Sequence, residues 1–265
     1  MTALLLPIGV LVGLIGSLIG VGGGFFVVPF LLHVLDGFTK DSATAASLGI
    51  VLLSAASGTL ANGRRRRIDY RTGLMLAAGT LPGAWLGREL IRAISDRTFA
   101  YSFGGLLVAV AVYVLFVRLK KGRGLVRGTP RVQVDSEGQA HAYEVNGPLG
   151  FAASLAIGVI SSLFGIGGGL VLVPFLVIAY GMPSVCATAA AQFTFLFASA
   201  MGLAVSVARG QMTPAGWRVI GLLGLGVVVG AHVGVAVAKK LPERVFRAML
   251  AAVILTVAAL MVFRK

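Results

Sequence analysis

The sequence is poor in charged residues and in cysteine. Only 12% of its 265 residues are charged, nine residues are acidic, and 57% are hydrophobic. So little polar material cannot cover the surface of a soluble domain of this length, which excludes the soluble classes. The single cysteine, Cys186, excludes an intramolecular disulfide.

The few charges leave long runs that contain no Asp, Glu, Lys or Arg. These runs are residues 1–35, 42–63, 72–87, 98–117, 145–208, 219–238 and 248–263. Because a helix needs about 20 apolar residues to cross a bilayer, the pattern predicts an all-α polytopic membrane protein. A β-barrel is excluded, since its strands would alternate polar and apolar residues. No basic segment precedes the first run, so a cleaved signal peptide is not expected.

The net charge of +14 is concentrated beside the apolar runs. Residues 64–67 are four consecutive arginines that follow one run, and a second basic cluster begins at Arg118 after another. Such clusters are typical of cytoplasmic loops under the positive-inside rule. The charge therefore predicts orientation in a lipid bilayer, and nucleic acid is not expected as a partner.

An internal duplication divides the chain into two halves. Residues 19–31 match residues 164–176, each with Gly-x-Gly-Gly-Gly and a Val-Pro-Phe-Leu run. Each half then has an Ala-Thr-Ala-Ala segment, at 43–46 and 187–190, and three glycines spaced by four residues, at 79, 83 and 87 and at 226, 230 and 234. We therefore predict two transmembrane repeats, at 1–118 and 148–265, joined by a cytoplasmic linker at 119–147. The linker is expected to be a solvated connector, with a hairpin turn at Asp135 to Gly138.

The first apolar block of each half is too long for one straight helix. Residues 3–35 would extend about 50 Å as a helix, whereas the hydrocarbon core is about 30 Å thick. Each block must therefore break, and the three consecutive glycines at 22–24 and 167–169 are the predicted positions. Pro29 and Pro174, each five residues further on, are predicted to mark the point where the helix restarts.

These breaks leave two topologies open. If each block crosses the membrane once, there are eight spans, both termini are inside and the repeats are parallel. If each block is a hairpin, there are ten segments, both termini are outside and the repeats are inverted. Both place the same number of basic residues inside, so charge does not decide between them. Inverted repeats are favoured, because they bring two broken helices together at the midplane, as in many transporters.

The glycine breaks are the predicted substrate site. Unpaired N–H groups beside a helix start form a donor surface suited to an oxyanion. Neutral hydroxyl and amide groups would add weak coordination that still lets the ion leave. The predicted substrate-binding residues are Gly22, Gly23, Gly24, Gly167, Gly168, Gly169, Thr44, Thr188, Gln192, Ser17 and Ser162.

Two further features have a functional and a structural interpretation. His232 lies within a span, where it could relay protons or form a neutral hydrogen bond in a helix interface. The glycines spaced by four residues favour close helix packing over a binding role. No metal or cofactor site is predicted.

In combination, these motifs resemble the sulfite exporter TauE/SafE family, also called the toluene-sulfonate uptake permease family. The resemblance covers both repeats, and it implies a multi-pass permease of the cell inner membrane for small sulfur-containing anions such as sulfite, sulfonates or sulfoacetate. We expect alternating access between the repeats around a midplane site. The direction, the coupling ion and the oligomeric state, a homodimer included, stay open. The alternatives are an anion or ion channel and, less favoured, a membrane-embedded enzyme, for which the membrane segments contain too few nucleophiles, bases and metal ligands.

Overall fold

The computed structural model describes residues 2–19, 23–116, 124–238, 252 and 254–261, and this part is mostly helical. The helices of the first half are α1 (Thr2–Ile19), α2 (Gly24–Val34), α3 (Lys40–Arg64), α4 (Tyr70–Ala93) and α5 (Asp96–Phe116). The strands β1 (Thr129–Val134) and β2 (Ala140–Val145) form an antiparallel hairpin. The helices of the second half are α6 (Gly147–Phe164), α7 (Gly169–Tyr180), α8 (Ser184–Ala208) and α9 (Pro214–Ala238). Residues 254–261 are also helical.

Four of the described helices are long and apolar enough to cross a membrane. These are α3, α6, α8 and the part of α9 at Pro214–His232. Shorter apolar helices are present at Leu5–Leu14, Gly24–Val34 and Gly169–Tyr180. The prediction of a helical, polytopic membrane protein is confirmed at this level.

Both long apolar blocks break at their glycine-rich segments, as predicted. In the first half α1 ends at Ile19 and α2 begins at Gly24, and in the second half α6 ends at Phe164 and α7 begins at Gly169. Each block is therefore two helices. Gly22 lies outside the described residues.

The new helices begin at the glycines themselves. Gly23 and Gly168 are the N-caps of α2 and α7, and their φ angles of 78° and 48° are left-handed. Glycine adopts such angles without a steric penalty, so the chain can turn and start a helix there. Pro29 and Pro174 lie inside α2 and α7. The prediction that these prolines mark the restart is wrong, because the glycines already supply the required backbone angles.

The first helix of each half packs along the fourth helix of the other half. α1 lies along α9, and α6 lies along α4. A side chain on Gly230 would overlap the backbone of Val10, and a side chain on Gly83 would overlap that of Leu155. The same holds for Gly79, Gly87 and Gly226 at these two interfaces. The prediction of close helix packing is confirmed for these five glycines.

Helices α3 and α8, which carry the matching Ala-Thr-Ala-Ala segments, lie side by side and run in opposite directions. The side-chain amide of Asn62, near the end of α3, donates to Gln192 Oε1, near the start of α8, at 2.8 Å. At the other end, the amide of Gln211, which follows α8, donates to Asp41 Oδ1 in the first turn of α3, at 3.2 Å. We call the side that bears residues 64–67 the inner side, following the positive-inside rule, and the side of Asp41 the outer side.

The β-hairpin packs on the loop between α3 and α4. Its turn lies at the predicted position, with the Gly138 N–H donating to Asp135 O at 3.1 Å. The Arg67 guanidinium lies 3.4 Å from Glu137 Oε1 and 3.9 Å from Asp135 Oδ2. The Ser136 N–H donates to Arg65 O at 3.0 Å. This part of the linker is thus attached to the arginine-rich loop. The predicted boundary between residues 118 and 119 lies outside the described residues.

Asp69 joins the same loop to the hairpin. Its carboxylate caps α4, accepts from Tyr143 Oη at 3.0 Å and pairs with Arg131 at 3.3 Å. Burial alone would raise the pKa of Asp69, but hydrogen bonds from Thr72 and Tyr143 and the charge of Arg131 hold that pKa below its ordinary value. Burial and the neighbouring Asp69 raise the pKa of Tyr143, so its hydroxyl stays a donor.

Candidate functional site: a polar cavity between the two halves

A cavity of about 360 Å³ lies between α3, α8 and α9 on the inner side. The end of α3 and the loop after it supply most of its wall, the start of α8 supplies the facing wall, and the last turns of α9 close it. The lining residues are Ser54, Ser57, Gly58, Ala61, Asn62, Arg65, Arg67, Ser184, Val185, Thr188, Gln192, Ala231 and His232. Hydroxyls, amides, a histidine and arginines therefore converge on one space formed by both halves.

Gln192 and Thr188 are the predicted substrate-binding residues that the structure brings into this cavity. They lie one helical turn apart on α8, so their side chains share a face. Gln192 Oε1 is held by Asn62, which leaves its NH₂ group available as a donor. Gly58 makes room for this arrangement, because a side chain there would overlap the Gln192 amide.

The charged residues that line the cavity are all basic. Arg65 and Arg67 belong to the loop after α3, and among the lining residues that the structure describes there is no Asp or Glu. The hairpin carboxylates that pair with Arg67 approach it from outside the cavity wall. The charge of Arg67 is thus partly compensated, whereas Arg65 has no ion pair among the described residues, and its charge favours an anion over a cation in the cavity.

His232 completes the wall from α9. Its Nδ1 lies 2.8 Å from Val228 O, one turn earlier in the helix. Because a carbonyl oxygen only accepts, Nδ1 carries a hydrogen and Nε2 is the nitrogen left for a ligand. His232 thus bonds within its own helix and borders the cavity. Its role as a proton relay or as a hydrogen-bonding residue of a helix interface stays a prediction.

The described glycines of the two breaks are brought together in the core and do not line the cavity. A side chain on Gly24 would lie 2.8 Å from Gly165 O, at the end of α6. The Ser47 hydroxyl donates to Gly165 O at 2.6 Å and lies 3.3 Å from Gly24 O, so it links the two breaks. Gly23, Gly24, Gly167, Gly168 and Gly169 are all buried.

Two apolar side chains separate the breaks from the cavity. Val51 lies one turn before Ser54 on α3 and covers Gly24 and Gly167. Phe195 lies one turn after Gln192 on α8, and its ring covers Gly168. Both side chains are buried. Within the described residues, the N–H groups of Gly167 and Gly168 have no hydrogen-bond acceptor.

The remaining predicted residues lie elsewhere. Ser162 is buried on α6 and its hydroxyl has no partner among the described residues. Ser17 lies in α1, and its side chain is outside the described part of the chain. Thr44 is buried near the outer side, where its hydroxyl accepts from Arg88 Nη1 at 2.7 Å.

Sequence reasoning missed Arg88, a fully buried arginine in α4. Arg88 directly follows the charge-free run 72–87, so its position in the sequence predicts only the polar end of a membrane span. A signal was nevertheless present: Arg88 immediately follows the last glycine of the Gly79, Gly83, Gly87 series, which marks a packed helix face.

A bundle of membrane-crossing helices around a polar, arginine-lined cavity between two halves is the architecture of a membrane transporter. Comparison with known proteins agrees. The model of the sulfite exporter TauE/SafE family matches residues 5–261, and the chain belongs to this family.

Relatives with similar sequences have the same general description. The chain is 26% identical to the probable membrane transporter protein YunE of Bacillus subtilis (strain 168), over 91% of this chain and 90% of the relative. It is 28% identical to a probable membrane transporter protein of Xylella fastidiosa (strain Temecula1), over 88% of this chain and 83% of the relative. It is 27% identical to the probable membrane transporter protein MJ0441 of Methanocaldococcus jannaschii, over 66% and 61%. No solved structure matches the chain.

Proposed function

We propose that this protein moves a small sulfur-containing oxyanion, such as sulfite or a sulfonate, across the cell inner membrane by alternating access. In this proposal the described conformation is open to the inner side. The anion enters the cavity between α3 and α8 and binds to the amide of Gln192, the hydroxyl of Thr188 and the adjacent arginines.

The observation that carries the proposal is the charge and polarity of the cavity. Within the described part of the chain, its polar groups are neutral side chains and cations, and no carboxylate lines it. Neutral donors bind an anion weakly enough to release it, while Arg65 and Arg67 raise its local concentration at the entrance. A cation carrier would need the opposite arrangement.

An inverted-repeat arrangement is part of the proposal, and equivalent contacts support it. Gly58 in α3 lies against Gln192 in α8, and the equivalent residues, Gly202 in α8 and Leu48 in α3, also lie together. Because α3 and α8 are antiparallel, a two-fold axis in the membrane plane would relate these pairs. Two inverted halves can then exchange conformations, which opens the site to one side at a time.

The buried layer formed by Val51 and Phe195 favours a carrier over a channel. A channel needs a continuous pore, whereas this layer separates the inner cavity from the glycine breaks. We propose that these side chains move when the halves rearrange, and that the anion then reaches the free N–H groups at Gly167 and Gly168. His232 is the candidate for any coupled proton transfer.

Flux measurements in proteoliposomes test this function. Radiolabelled sulfite and sulfonates should show saturable uptake that unlabelled anions compete with, measured with and without a pH gradient. A thermal-shift series with sulfite, thiosulfate, sulfonates and simple carboxylates should show stabilisation by the transported anions. Flux of a cation without flux of any sulfur oxyanion contradicts the proposal, and single-channel currents would favour a channel.

A further inference from the structure

Arg88 occupies an unusual position for a cation in a membrane protein. Its side chain is fully buried, although Arg88 lies only five residues before the end of α4. Nη1 donates to the Thr44 hydroxyl at 2.7 Å, and Nη2 donates to Asp41 O at 3.3 Å and to Gln211 Oε1. The buried Nε–H has no partner among the described residues.

The acceptors of this guanidinium are neutral oxygens. Among the described residues, no carboxylate lies within ion-pair distance of Arg88, and the Asp41 carboxylate reaches it only through the amide of Gln211. A buried cation without a direct counterion is costly, so an anion that replaced the Gln211 amide would bind strongly. The planar guanidinium fork also fits two oxygens of an oxyanion at once.

The repeat relates this cluster to the inner cavity. Thr44 and Thr188 are equivalent residues of the two Ala-Thr-Ala-Ala segments. Thr188 lines the open cavity at the start of α8, whereas Thr44 lies in the closed cluster at the start of α3. The loops next to these two regions also correspond. Residues 65–69 connect the third and fourth helices of the first half, and residues 209–213 connect the third and fourth helices of the second half.

We propose that Arg88 is an anion-binding residue of the outer half of the transport path. When the inner cavity closes, the loop after α8 withdraws the Gln211 amide, and the guanidinium binds two oxygens of the sulfur oxyanion. The Thr44 hydroxyl, which donates to Lys40 O at 2.7 Å, holds Nη1 in position. In the described conformation Gln211 holds the place of those oxygens and seals the outer side. This inference rests on the transport function proposed above, because it assigns a binding residue to the same path.

Three variants test the proposal in proteoliposomes, with anion supplied from the outer face. Arg88→Met keeps the approximate volume but removes the charge, and it should raise KM at least about tenfold, since a charge-assisted interaction is lost. Arg88→Lys should give an intermediate KM, because an ammonium lacks the bidentate fork. Gln211→Ala should lower KM, because it removes the competing acceptor. Arg97→Met, which removes an exposed arginine at the start of α5 on the same face, is the matched control and should keep the wild-type KM.

The results of these variants distinguish a structural role of Arg88 from a binding role, and a failure of this inference from a failure of the proposed transport function. A purely structural clamp predicts that Arg88→Met, Arg88→Lys and Gln211→Ala all lower the melting temperature and the maximal rate while KM stays constant, which overturns the proposal. If Arg88→Met does not fold, Arg88→Lys and Gln211→Ala decide by the direction of their KM changes. Wild-type protein that moves no sulfur oxyanion contradicts the transport function itself, and the role of Arg88 with it. Wild-type flux with an unchanged KM in Arg88→Lys and Gln211→Ala overturns the role of Arg88 alone.

Discussion

At the scale of single residues, Gln192 is the polar side chain that distinguishes the inner cavity from its counterpart in the first half. Leu48 stands at the equivalent position there and is buried. The Gln192 amide is oriented by Asn62 and supplies neutral donors to the cavity. Under the proposed function, this asymmetry means that the two half-sites would bind the anion with different groups, an amide on the inner side and the Arg88 guanidinium on the outer side.

Replacing Gln192 by the leucine of the other half should weaken anion binding and leave the fold intact. We expect Gln192→Leu to raise KM about tenfold, the equivalent of roughly 1.4 kcal/mol, because the anion loses a hydrogen-bond donor in a partly buried site. Proteoliposome uptake from the inner face measures the change. Gln133→Leu, which removes an amide from the hairpin outside the cavity, should keep the wild-type KM. An unchanged KM in Gln192→Leu would show that the cavity is not the binding site.

At the scale of elements, close contact between helices of opposite halves holds the bundle together. Gly230 and Gly221 provide a test within one helix, α9. A side chain on Gly230 would overlap the Val10 carbonyl, whereas nothing lies within 4 Å of a side chain on Gly221. We expect Gly230→Ala to lower the melting temperature in detergent by several degrees, since overpacking typically costs about 1–3 kcal/mol. Gly221→Ala should be neutral or slightly stabilising, because alanine favours helix. Equal melting temperatures would contradict the α1–α9 interface.

The hairpin is the second element whose attachment can be tested, through pH. The pKa of Asp69 is below its ordinary value of about 4, because the ionised carboxylate is stabilised in the docked hairpin. This carboxylate therefore stabilises docking fully above about pH 4, and the stabilisation is lost as the pH falls through the lowered pKa. The pKa of Asp135 is lowered as well: burial would raise it, but hydrogen bonds from the Gln139 N–H, His141 and the Glu137 N–H outweigh this effect. The wild-type hairpin should therefore stay docked at about pH 5, and its docking should weaken only as the pH falls below the ordinary carboxyl pKa of about 4.

Spin labels at Gln139→Cys and Arg71→Cys, both exposed positions, report this separation as a longer interlabel distance. Asp69→Asn should broaden the distance distribution already at pH 7, because Arg131 loses its counterion, and should leave only the contribution of Asp135 to the pH dependence. Asp36→Asn, on the outer side, is the control and should behave like the wild type. A distance that is constant from pH 7 to pH 3 in the wild type would mean that these carboxylates do not hold the hairpin.

At the scale of the whole molecule, the side on which Arg209 lies distinguishes the two topologies. With parallel repeats, Arg209 is on the same side as the hairpin, whereas inverted repeats put it on the same side as Asp36. Its ion pair with Glu89 at the end of α4 favours the inverted arrangement. In intact cells, an impermeant maleimide should label Asp36→Cys and Arg209→Cys, and should label Gln139→Cys only after permeabilisation. The wild-type chain, whose single Cys186 is buried, is the unlabelled background. Labelling of Arg209→Cys only after permeabilisation would contradict inverted repeats.

The sequence by itself determined the features that depend on local composition. Long charge-free runs require membrane helices, three consecutive glycines allow a chain reversal, and the spacing of Gly79 and Gly83 predicts a packed face. Each of these is a property of neighbouring residues, so it can be read without knowing the fold. The prediction that a helix restarts at Pro174 was wrong. The helix begins at Gly169, because the preceding Gly168 can adopt the left-handed backbone angle that this start requires.

Only the tertiary structure decided which residues share a site. Thr188, Gln192 and His232 meet Asn62 and the arginine loop because α8 and α9 pack against a helix from the other half. The same packing buries Thr44 beside Arg88 and brings Gln211, more than a hundred residues further along the chain, into contact with the Arg88 guanidinium. Such contacts join distant segments through the shapes of whole helices, and no local pattern encodes them.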